Sequence, residues 1–105
     1  MSKILQKYEQ EAEILKVLAH PVRLFIVDRL GSGPLTVSEL HREIEGDMST
    51  LSRHLSLLKS SGIVKSVRKG NQRYYHLQLG CALEFILCCR NLLSDKRFLN
   101  RYEEK

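Results

Sequence analysis

Met48-Ser49-Thr50-Leu51-Ser52-Arg53-His54-Leu55-Ser56-Leu57-Leu58-Lys59-Ser60 is the stretch from which the rest of the chain is best read. Leu51, Leu55 and Leu58 recur at spacings of four and three, which makes them the apolar stripe of one helix, and Ser49, Thr50, Arg53 and His54 project elsewhere. Asp47 suits the cap of this helix and Gly62 its end. Two β-type runs follow, Ile63 to Arg68 and Gln72 to Leu79, joined by Lys69-Gly70-Asn71, a tight hairpin with a basic tip. Between Met48 and Leu83 there is no Asp or Glu, yet Arg53, Lys59, Lys65, Arg68, Lys69 and Arg73 all fall there. The chain has 17 Lys and Arg against 12 Asp and Glu, so this block supplies the whole net charge of +5. A cationic face of that kind gains affinity for a polyanion by releasing condensed counterions. The plainer alternative is a solvated basic surface with no partner.

Upstream, Ile4, Tyr8, Ala12, Leu15 and Leu18 predict an amphipathic helix from Lys3 to Leu18. His20-Pro21 breaks it, because a residue before proline disfavours helical geometry, and Pro21 opens a second helix to about Leu30. Gly31-Ser32-Gly33-Pro34 is a turn. Thr36 and Glu39 have capping-box spacing and start a short third helix, expected to stop near Glu45-Gly46. Cys81 to Leu93 is mostly apolar and predicts a fifth helix, with a short extension around Phe98 to Tyr102.

Two short helices joined by a turn, the second rich in Ser, Thr, Arg and His, followed by a hairpin, make a winged helix-turn-helix. The expected fold is mainly α with a small β-hairpin, a single domain over residues 1–105. A DNA major groove about 12 Å wide admits one α-helix, whose exposed N-terminal side chains then meet base edges and phosphates. Ser49, Thr50, Ser52, Arg53 and His54 are the candidates for that role, with Arg53 first among them. A merely solvated helix face is the competing reading for any single serine. Arg68, Lys69 and Arg73 would reach flanking phosphate or the minor groove, adding affinity more than sequence choice. Lys59 and Gln72 complete the DNA-contacting set, and Lys65, inside a strand, is the weaker candidate.

Size and composition narrow the classes further. At 105 residues, 43% hydrophobic, there is room for one core, and apolar residues near both ends need cover that a second copy can give. No segment approaches the roughly 20 apolar residues of a membrane span, and the first residues lack a secretory apolar region, so a cytoplasmic protein is expected. Three clustered cysteines, Cys81, Cys88 and Cys89, do not form a disulfide framework. No Gly-rich phosphate loop, carboxylate pair or nucleophile motif supports an enzyme. A winged helix that docks on protein remains a competing class, opposed by the charge of the block, since protein-docking cores are depleted in charge.

Five segments together resemble the ArsR family of winged-helix repressors: Ala19-His20-Pro21-Val22-Arg23-Leu24 with Ile26; Leu35-Thr36-Val37-Ser38-Glu39-Leu40; Met48 to Leu55; Leu58-Lys59-Ser60-Ser61-Gly62-Ile63-Val64; and Gly70-Asn71-Gln72-Arg73-Tyr74-Tyr75. The resemblance covers about residues 12 to 79. It implies a homodimer that binds double-stranded operator DNA, represses transcription and releases when an inducer binds. It also implies that residues 3–18 and 81–102 form the dimerisation helices and that His20 is a structural residue. The family's best-known metal site places two cysteines and an aspartate on the third helix, but Leu35 to Leu40 here carries no thiol. Its other common site needs histidines on the fifth helix, and residues 81–102 contain none.

That leaves the fifth-helix cysteines. Cys81 and Cys88 are seven residues apart, so they lie on one stripe but about 10.5 Å apart along the axis. One helix cannot chelate with them. Antiparallel pairing across a two-fold axis near Glu84 and Phe85 would bring Cys81 of one copy to Cys88 of the other, with Cys89 joining only after rearrangement. Three readings stay open: small apolar residues filling a dimer interface, thiolate ligands for arsenite or another soft ion, and an intersubunit redox switch.

Overall fold

A computed structural model describes residues 2–95. The elements run α1 (Lys3–Leu18), α2 (Pro21–Leu30), α3 (Val37–His41), α4 (Met48–Ser60), β1 (Val64–Lys69), β2 (Gln72–Leu77) and α5 (Cys81–Ser94). The expected extension at Phe98 to Tyr102 lies outside the described residues.

Local chemistry sets most boundaries. The Ser2 hydroxyl accepts from Leu5 N–H at the head of α1. His20 Nδ1 accepts from Val22 N–H at 3.1 Å, capping α2, while Pro21 occupies a first-turn position where no amide is needed. Thr36 and Glu39 close the full capping box of α3, with Glu39 N–H on Thr36 Oγ1 at 3.2 Å and Thr36 N–H on Glu39 Oε1 at 3.0 Å. This helix ends at His41, earlier than expected. Glu43 N–H turns back to Leu40 and Ile44 N–H to His41, three residues each, and the His41 ring bonds Gly46 O at 2.8 Å, so the segment tightens into a turn instead of adding another α-turn.

The hairpin pairs Val64 with Leu77 through Lys69 with Gln72, so the turn is Gly70-Asn71, and Gly70 supplies the positive φ of +62° that its first position needs. β1 is shifted by one residue from the expected Ile63–Arg68, while β2 begins at Gln72 as expected and stops at Leu77 instead of Leu79. Ile63 O accepts from both Gln78 and Leu79 N–H, which ends the ladder in a bend. Leu35 adds an unexpected bridge: it exchanges both backbone bonds with Tyr75, at 3.1 and 2.8 Å, and thereby ties the start of the helix-turn-helix to the wing.

One core holds these pieces. Ile26, Val27, Leu40, Leu51, Leu55, Leu58, Ile63 and Val64 are all at most 2% exposed. Each such side chain contributes about 1.5–3 kcal/mol by leaving water. Ala82 and Ile86 bring α5 onto the same core, and Arg90 binds Asp28 of α2 at 2.7 Å. Among the described residues no helix is long and apolar enough to cross a membrane.

Candidate nucleic-acid interface

The buried Leu51–Leu55–Leu58 stripe fixes how α4 is rotated, and therefore which side chains it presents. Arg53 lies about 200° around the helix from Leu51. Ser49, Thr50 and Arg53 are exposed, and Ser52 is half-buried on the flank. Among the described residues no ion pair or hydrogen bond holds the Arg53 guanidinium, so its fork of donors is unspent.

The tip of α4 is more ordered than its composition suggests. Asp47 Oδ1 accepts from Thr50 N–H and from the Ser49 hydroxyl, each at 2.7 Å. The Ser49 hydroxyl first, then the Thr50 hydroxyl and amide, hold the Asp47 carboxyl down at about 2. Sequence reasoning treated Asp47 only as a cap. The available signal was its position directly ahead of the exposed Ser49 and Thr50.

His54 faces the body of the domain. Its ring centroid is 4.4 Å from that of His20, tilted by 44°. Burial, then the neighbouring His20 and Arg23, lowers its pKa, so the ring packs α4 onto α2 in its neutral form. Arg23 Nε is buried in the same structure without a hydrogen-bond partner among the described residues.

On the wing, Arg68 sits directly opposite Arg73 and Lys69 opposite Gln72, and all four side chains are exposed. Arg73 donates to the Ser66 hydroxyl at 3.0 Å, and Arg68 Nε donates to Gly70 O at 3.3 Å, so both guanidinium groups are steered but not neutralised. Like charges facing each other across a ladder are unfavourable alone and become favourable when an anion lies between them. Lys59 is exposed at the far end of α4 and Lys65 on β1 opposite His76.

All three cysteines are exposed. They do not pack the core of their own chain. Cys81, Phe85, Cys88 and Leu92 follow one another at spacings of four, three and four on the outer side of α5, while Cys89 lines a groove of about 590 Å³ with Leu15, Phe25, Phe85 and Leu93. No three of His, Cys, Asp and Glu converge on a metal-sized point among the described residues. A single chain therefore brings no metal site together there.

Comparison with known proteins gives a consistent result. Residues 18–67 match the family model of a helix-turn-helix domain. The arsenical resistance operon repressor of Staphylococcus xylosus is 36% identical over 67% of each chain. The solved transcriptional repressor BigR from Xylella fastidiosa is 32% identical, with a TM-score of 0.76 over 91% of this chain and all of that one. A solved ArsR family transcriptional regulator is 30% identical, with a TM-score of 0.62 over 81% of this chain and 90% of that one. Helix order, hairpin and these similarities agree that the chain belongs to the ArsR family of winged helix-turn-helix transcriptional regulators.

Proposed function

We propose that this chain acts as a homodimeric repressor that lays α4 in the major groove of an operator, sets its wing against flanking phosphate and releases when a thiol-reactive ligand acts on α5. The observation that carries the DNA reading is the outward set of Ser49, Thr50 and Arg53 opposite a fully buried leucine stripe, continued by Arg68, Lys69 and Arg73. Ser52 and Lys59 flank the helix, Gln72 the hairpin. His54 supports the same surface from beneath.

Pairing through α1 and α5 is favoured by their exposed Tyr8, Leu15, Phe85, Leu92 and Leu93, since an apolar patch of this kind marks an association surface. The seam spacing of Cys81, Phe85, Cys88 and Leu92 suits a helix packed against its own copy. Arsenite or another soft ion held by Cys81 and Cys88 across that seam, with Cys89 joining only after rearrangement, is the preferred inducer chemistry, in keeping with a relative named for arsenical resistance. Oxidation or persulfidation of the same exposed thiols is the second reading. Either would repack α5 and change the distance between the two recognition helices.

Fluorescence anisotropy with labelled duplex DNA over a salt series tests the DNA reading. Binding that falls steeply with salt supports it. No binding to any duplex contradicts it and favours a protein-docking winged helix.

A further inference from the structure

The tip of α4 offers acceptors where a recognition helix is expected to offer donors. Ser49 has one hydroxyl proton, and it is committed to Asp47 Oδ1 at 2.7 Å. Its remaining capacity is two lone pairs. The Asp47 carboxylate takes the Ser49 hydroxyl and the Thr50 amide and hydroxyl, which leaves part of its roughly four acceptor sites open, and its side chain is exposed at the first point where the helix would enter a groove. The cap itself needs no charge, because Ser, Thr or Asn fills that position about as well. A carboxylate beside DNA phosphate is unfavourable unless it meets a donor.

In the major groove only two base groups donate, the N4 amino of cytosine and the N6 amino of adenine. We propose that Asp47, with Ser49 locked beside it as a second acceptor, reads a cytosine or adenine amino group at one fixed position of each operator half-site. Arg53, all donor, is suited to guanine O6 and N7 at a different position. The first turns of α4 thus carry two opposite hydrogen-bond characters about 1.7 turns apart. This inference rests on α4 being the recognition helix, and it adds a specificity residue to the cationic set.

Selection from a randomised duplex library separates the two levels. The wild-type protein is expected to recover a half-site with cytosine or adenine at one position. Asp47→Asn keeps the cap but replaces one acceptor oxygen with a donor, and it should lose that preference by about tenfold while the rest of the motif persists. Asp47→Ser, a second capping variant, should relax the same position. If both variants recover the wild-type motif and simply bind every sequence more tightly, Asp47 is only a cap and the inference is overturned. If the wild type itself recovers no motif, the reading of α4 falls and takes this inference with it.

Discussion

The rings of His20 and His54 lie 4.4 Å apart, joining the N-cap of α2 to the middle of α4. Their contact seats α4 on α2, and it does so with the His54 ring held neutral by burial. Because the folded pKa of His54 lies below its unfolded value of 6.5, the unfolded chain binds the extra proton first. Stability is then fully present above about pH 6.5 and is lost as pH falls through the lowered value. Melting temperature should drop between about pH 7 and about pH 5 in the wild type and drop less in His54→Gln. Equal drops in both would show that the ring is not the titrating group.

Arg53→Ala should lower operator affinity by about tenfold or more with the fold unchanged, because the side chain leaves the core untouched and a bidentate base contact is worth about 1–3 kcal/mol. Lys69→Ala should instead weaken binding to all sequences alike and reduce the salt slope by about one. Anisotropy on specific and scrambled duplexes distinguishes the two, and a mutant at position 53 with wild-type affinity would remove the recognition assignment.

Leu55→Ala removes a side chain with no exposure from the stripe that orients α4. A cost of about 2–5 kcal/mol is expected in denaturant unfolding.

Phe85→Glu places a charge in the exposed seam of α5, where the residue is 50% exposed in the single chain. Sedimentation should change from dimer to monomer, and operator affinity should fall with it. A dimer that survives this substitution would relocate the interface.

Cys81→Ser with Cys88→Ser should keep DNA binding and abolish release by arsenite, read as anisotropy before and after addition. Continued release would take the inducer away from these thiols.

How far the sequence anticipates the structure varies by element. The apolar pattern of α1, α4 and α5, the break at His20-Pro21 and the cap at Asp47 are local signals, and they placed α1, α2, α4 and α5 within a residue or so. The early end of α3 was hidden because residues 42 to 46 carry no apolar period, and the turn that replaces the helix is closed by backbone bonds to Leu40 and His41 and by the His41 ring on Gly46. The Leu35–Tyr75 bridge was invisible for another reason: one pair across forty residues leaves no pattern in either neighbourhood. Exposure of Arg53 followed from periodicity. The inward turn of His54 did not, since it sits only about 60° from Leu51 and its partner is 34 residues away in the chain.

Amide NMR spectra of the labelled protein, titrated with an operator duplex, map the DNA-facing surface residue by residue. The largest shifts should fall on Ser49, Thr50, Ser52 and Arg53 and on the Lys69–Arg73 turn, with α1 little changed. Shifts confined to α1 and α5, with the tip of α4 unmoved, would contradict the assignment of α4 and the wing to DNA.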